Sequence, residues 1–280
     1  MLSTLVVGAI VAYALLCVAI FFARHRMIFP VRGGAMGNPA TFGIPDAEAV
    51  TMPSEDGHGV AAWFLPAVPA AEPSGVLVWF HGNAETLAGL APIFRAFRAP
   101  GVALLAVEYR GYGSPGTATV DNVERDALAA WAWLAQRAGV DTTRAVVYGR
   151  SIGSGPAIHL AARRPVAGLI VESGFSTMRK LAHFHFPVVP SALAGRGFNN
   201  VADIARVACP ILLVHGDHDR VVPTAMGRAL AAAAGPRGEL WIIRDTGHNE
   251  TYDHGGAEYV QRVRAFVARF AGAPPRATVR

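Results

Sequence analysis

The sequence predicts an α/β fold: a mostly parallel sheet with helices on both faces, a short cap inserted late in the chain, and an apolar helix ahead of it all. Three observations carry this reading. Short continuous apolar runs such as Gly75-Val76-Leu77-Val78-Trp79-Phe80, the pattern of a strand buried on both faces, alternate with stretches of helical spacing. Gly149-Arg150-Ser151-Ile152-Gly153 stands between such a run, Ala145-Val146-Val147-Tyr148, and a segment that opens a helix. Leu2 to Phe22 is nearly all apolar and carries no charge.

Composition narrows the choice further. With 280 residues, 52% hydrophobic and 16% charged, the chain suffices for one full α/β domain plus an appendage and is too apolar to be disordered. The net charge of +5 comes almost wholly from arginine, since Lys180 is the only lysine. The arginines are scattered without a run, so no nucleic-acid partner is expected. A disulfide between Cys17 and Cys209 would cross a membrane boundary, and none is predicted.

Taken in order, the elements begin with Leu2 to Phe22, at about 20 residues long enough to cross a bilayer as a helix. No basic side chain precedes it and no small-x-small site follows, so a retained anchor is expected rather than a cleaved signal. Arg24, Arg26 and Arg32 lie on its C-terminal side and place the main domain in the cytoplasm. Residues 1–26 are thus expected as a single-pass membrane anchor, 27–47 as a Gly- and Pro-rich linker, 48–272 as the main domain and 273–280 as a flexible tail. Two apolar segments between Glu48 and Pro66 flank Ser54-Glu55-Asp56-Gly57-His58-Gly59, a turn signal, and predict an antiparallel hairpin at a sheet edge with His58 solvated. Strands follow at Gly75–Phe80, Val102–Tyr109, Ala145–Tyr148, Val166–Glu172, Ile211–Val214 and Leu240–Ile243. Helices are expected at Glu85–Phe97, Val120–Ala138, Ser154–Ala162, Met226–Ala233 and Tyr259–Phe270. Between Gly174 and Ala208 lies an irregular insertion, the expected cap.

Reactive groups in open parallel sheets sit just past the carboxyl ends of the strands. Strand, sharp turn and helix around Ser151 form the context of a nucleophile elbow, in which two glycines let the backbone turn tightly enough to raise a hydroxyl over the sheet edge. His81-Gly82-Asn83-Ala84 follows the first buried strand, and the backbone N–H groups of Asn83 and Ile152 are the candidate oxyanion donors. His215-Gly216-Asp217-His218-Asp219 follows a later strand. Asp217 and Asp219 compete there to orient a base, and Asp219 is preferred because Pro223 opens a helix shortly after it. Asp245-Thr246-Gly247-His248 follows the last strand, which makes His248 the candidate general base and His254 the fallback. Nearly every candidate metal ligand would come from the one short turn at His215, so no metal is expected. Gly111-Tyr112-Gly113-Ser114-Pro115-Gly116 has the letters of a dinucleotide motif but reads as a loop rather than a helix start, and no cofactor is expected.

These residues together resemble a serine hydrolase of the α/β-hydrolase superfamily. Within it, the chain is similar to the single-pass, membrane-anchored α/β-hydrolase-domain proteins that include lysophospholipid lipases and protein depalmitoylases. The resemblance rests on His81-Gly82-Asn83, Glu108-Tyr109-Arg110-Gly111-Tyr112-Gly113, Gly149 to Gly155, His215-Gly216 with Asp219 and Val222-Pro223, and Gly247-His248, and on Arg26-Met27-Ile28-Phe29-Pro30 after the anchor. It implies a Ser151–His248–Asp219 triad that hydrolyses a small-molecule or lipid ester, or a thioester, at a membrane. The alternatives are a peptidase using the same triad and a tethered scaffold without activity. Glu108 stands where the family pattern has Asp, and Glu85-Thr86 replaces its Gly-Asn, a change expected to reshape the acyl pocket.

Overall fold

The computed structural model describes residues 2–30, 36–70, 73–83 and 85–272; the expected tail at 273–280 and residues 31–35 of the expected linker, Arg32 among them, lie outside these. Helix α1 (Leu2–Ile28) extends through Met27 and Ile28, two residues into the expected linker. The eight strands are β1 (Glu48–Pro53), β2 (Gly59–Leu65), β3 (Ser74–Phe80), β4 (Val102–Val107), β5 (Val140–Arg150), β6 (Gly168–Glu172), β7 (Ile211–Gly216) and β8 (Gly238–Ile243). They form one sheet in the order β1-β2-β4-β3-β5-β6-β7-β8. The β1–β2 hairpin is antiparallel, as is the β2–β4 pair, and every other pairing is parallel.

Strand periodicity divides the core between the two faces. Val76, Val78 and Phe80 of β3 face one layer with Val147, Leu169 and Leu213. That layer is covered by α3 (Val120–Gln136), α4 (Ser154–Ala161) and α7 (Thr224–Ala234), through Val123, Ala127, Ile158 and Leu230. Leu77 and Trp79 face the other layer with Tyr148, Ile170 and Leu212, under α2 (Leu87–Phe97) and α8 (Thr251–Ala271). Side-chain caps start two of these helices: Thr86 accepts from Gly89 N–H at 3.2 Å and Thr119 from Asn122 N–H at 3.2 Å.

Three departures have physical causes. The insertion expected as irregular carries α5 (Met178–His185), capped by Thr177, and α6 (Asn200–Ile204). Helix α8 starts at Thr251, ahead of the expected Tyr259, because Gly256 at φ 51° kinks it and breaks the spacing of its apolar face. His58 is half-buried rather than solvated; its carbonyl accepts from Ser54 N–H at 2.9 Å, and its ring packs against the Gly116 turn.

Candidate active site

Pairing fixes where the site lies: Phe80 of β3 sits opposite Gly149 of β5, and Arg150 opposite Glu172 of β6, so three strands end side by side. The chain turns sharply past Arg150, with Ser151 at φ 51°, a strained value for a residue with a side chain. Such a turn needs close approach. A Cβ on Gly149 would lie 2.4 Å from Gly153 O, and one on Gly153 would lie 2.2 Å from Phe80 O. Ser154 Oγ donates to Ser151 O at 2.6 Å and locks the turn into α4.

Ser151 Oγ lies 2.9 Å from His248 Nε2, and His248 Nδ1 lies 2.7 Å from Asp219 Oδ2. Of the two competing aspartates, Asp219 therefore meets the histidine. Asp217 accepts from Thr246 N–H at 3.2 Å and braces the loop that carries His248. His254 turns away, its Nδ1 3.0 Å from Asp245 O. Burial alone would raise the Asp219 carboxyl, but His215, His248 and the Val222 N–H outweigh it and hold the group well below the usual carboxylate range. The amides of Asn83 and Ile152 belong to residues lining the cavity into which Ser151 opens. An activated hydroxyl, an oriented imidazole and nearby backbone donors can together perform acyl transfer.

The family model described as "Serine aminopeptidase, S33" matches residues 71–202, a range that ends before Asp219 and His248. The human alpha/beta hydrolase domain-containing protein 17B is 30% identical over 216 residues, covering 76% of this chain and 72% of the relative. The chain belongs to the α/β-hydrolase superfamily. The uncharacterized protein Rv2307c of Mycobacterium tuberculosis is 29% identical to this hydrolase over 254 residues, 90% of each chain. In fold, the hydrolase is similar to the Pyrococcus furiosus esterase Pf2001, with a TM-score of 0.72 at 20% identity over 87% of this chain and 98% of that one.

The hydrolase holds its site with pairings between distant residues that no sequence motif records. Arg150, the variable residue of the elbow motif, donates to His248 O and Asn249 Oδ1, each at 3.1 Å, and to Glu172 Oε1 at 3.2 Å. It also pairs with Glu85, whose second oxygen accepts from Gly82 N–H at 2.6 Å. One guanidinium thus joins the turn at Ser151, the loop that carries His248 and the loop after β3. Glu85 is engaged in this clamp, and neither it nor Thr86 is among the residues lining the cavity at Ser151. Glu172 also accepts from Tyr148, Thr251 and Tyr259. Burial, opposed by the Thr251 and Tyr259 bonds, pushes its carboxyl up to about 7. Glu108 reaches the buried His81, with Oε1 2.8 Å from Nε2, while His81 Nδ1–H donates to Gly82 O at 2.8 Å. Burial lowers the His81 pKa, but the bond to Glu108 outweighs it and raises the value overall.

A cavity of about 250 Å³ opens at Ser151. Met178, Leu181 and Phe186 of the cap form one wall, and Ile20, Arg24, Met27 and Ile28 of α1 form another. Asn83 ties the end of α1 to the loop after β4: its Nδ2 donates to Ile28 O at 2.9 Å, and its Oδ1 accepts from Tyr112 OH at 2.6 Å. The sequence marks α1 only as an anchor. In the fold its last turns are part of the site.

Proposed function

We propose that this chain is a membrane-anchored serine hydrolase that cleaves carboxylic esters or thioesters of lipid or acylated substrates through an acyl-enzyme. The observation that carries the reading is the unbroken relay from Ser151 Oγ through His248 to Asp219 at the mouth of an apolar cavity. Ser151 Oγ attacks the carbonyl carbon while His248 Nε2 takes its proton, and Asp219 fixes the tautomer by accepting from Nδ1–H. The amides of Asn83 and Ile152 hold the oxyanion. Collapse expels the alcohol or thiol with the proton from His248, and water activated by the same imidazole frees the acid.

The cavity lining supports an acyl chain as occupant. Among the described residues it contains no Asp or Glu, whereas an aminopeptidase must pair the ammonium of its substrate with an acceptor when it takes that charge out of water. Peptide amides remain the second reading, on the description of the matching family. Helix α1, the one described helix long and apolar enough to cross a bilayer, supports membrane attachment, and Arg24 and Arg26 at its end support a cytoplasmic domain. Labelling the full chain with a fluorophosphonate and screening long-chain esters, thioesters and peptides tests the proposal. Ser151→Ala should abolish labelling and cost on the order of 10⁶ in kcat; near-normal turnover by that variant would remove it.

A further inference from the structure

We infer that the tip of the cap, residues Phe184 to Pro190, is a second membrane-inserted element, so that the acyl cavity opens sideways into the lipid rather than into water. This rests on the membrane-anchor reading of α1. Tyr13 OH donates to Val188 O at 2.7 Å. Tyr13 lies nine residues before Phe22, about 13 Å along the helix axis, and helical side chains lean further toward the N-terminus. In an α1 that spans the bilayer, Tyr13 is therefore near the middle of a hydrocarbon layer about 30 Å thick. Whatever tilt α1 adopts, the tip bonded to Tyr13 shares its surroundings.

The tip is built for that phase. Phe184, Phe186 and Val188 are 50%, 45% and 76% exposed, with Val221 beside them at 44%. No Asp, Glu, Lys or Arg occurs from Leu181 to Gly195. Backbone polar groups in hydrocarbon must be satisfied internally. Here Pro187 and Pro190 have no N–H to satisfy, Phe186 N–H donates to Ala182 O at 2.8 Å, and Val189 N–H donates to Phe186 O at 3.0 Å. The Val188 carbonyl has the Tyr13 hydroxyl, and His185 Nε2 is bonded to Val221 O at 2.8 Å. Basic side chains flank the loop, with Arg179 and Lys180 exposed where it leaves the domain and Arg196 exposed where it returns. This is the order expected across a headgroup layer into the acyl region. The cavity lies between α1 and this cap, so a chain-bearing substrate reaches Ser151 by lateral transfer from the leaflet.

The test uses the full chain in phosphatidylcholine vesicles, with Cys17→Ala and Cys209→Ala, carrying an environment-sensitive fluorophore on Val188→Cys, Ile10→Cys or Glu239→Cys. The label at 188 should follow that at 10, quenched severalfold by nitroxide on the lipid chains and protected from aqueous iodide. Protection at 10 with iodide quenching at 188 equal to that at 239 would overturn the inference while leaving the anchor in place. Iodide quenching at 10 would sink the anchor reading and this inference with it. None of these outcomes depends on turnover, so they are independent of whether Ser151 acts. Val188→Asp should lose at least tenfold in turnover of a vesicle-embedded long-chain ester and keep its rate on a soluble short ester; equal rates on both would overturn lateral entry.

Discussion

His248 touches Ser151 on one side and Asp219 on the other because its loop is held from two directions, by Asp217 on the Thr246 amide and by Arg150 on the His248 carbonyl. Asp219→Asn should leave the loop in place but disturb the tautomer, costing about 10⁴ in kcat by analogy with the serine-protease triad. Asp219 also has a stability signature. Its folded pKa lies below the unfolded value of about 3.9, so its contribution is present above roughly pH 4 and lost as pH falls below it. Any excess stability of the parent over Asp219→Asn in denaturant titrations should therefore shrink from pH 7 to pH 3. Arg150→Ala should free the His248 loop and lower kcat by about ten- to a hundredfold with little change in KM, in line with the penalty for small misplacements of reacting groups. Ser151 and His248 are legible in the sequence because chemistry ties them to glycine-flanked strand ends. Arg150, Glu85 and Glu172 are not, since their meaning lies in pairings between separate strands that no local pattern records.

Among the elements, the strands are the most readable, because burial on both faces demands unbroken apolar runs. The start of α8 is hidden by its kink at Gly256, and the cap helices α5 and α6 are too short for a periodicity to emerge. Helix α1 is recognisable by its apolarity, yet that same apolarity conceals its second role, because nothing in a run of Leu, Val and Ile tells which turn packs on a cavity. Removing residues 1–22 keeps Arg24 to Ile28 and the bond from Asn83 to Ile28 O, whereas removing residues 1–29 deletes that carbonyl and a cavity wall. Hydrolysis of a soluble short ester should survive the first truncation and fall on the order of tenfold or more with the second, because Asn83 loses its tether.

For the molecule as a whole, stability rests on two apolar layers and on charged ties between α3 and the hairpin at the sheet edge. Arg110, 5% exposed, donates through Nε to Asp126 Oδ2 of α3 at 2.8 Å and through Nη1 to Asp56 of the hairpin turn at 2.7 Å. Asp126 is 1% exposed, so Arg110→Ala strands a buried carboxylate and should cost about 3–5 kcal/mol, read from the shift of a denaturant midpoint. The shared cavity has a practical consequence as well. A detergent monomer is an alkyl tail on a polar head, and the space between α1 and the cap is lined mostly by apolar side chains that suit such a tail. Solubilising the protein in a long-chain detergent would therefore supply a competitor for its own site, and a short-tailed or polymer-stabilised preparation is where its turnover should first become visible.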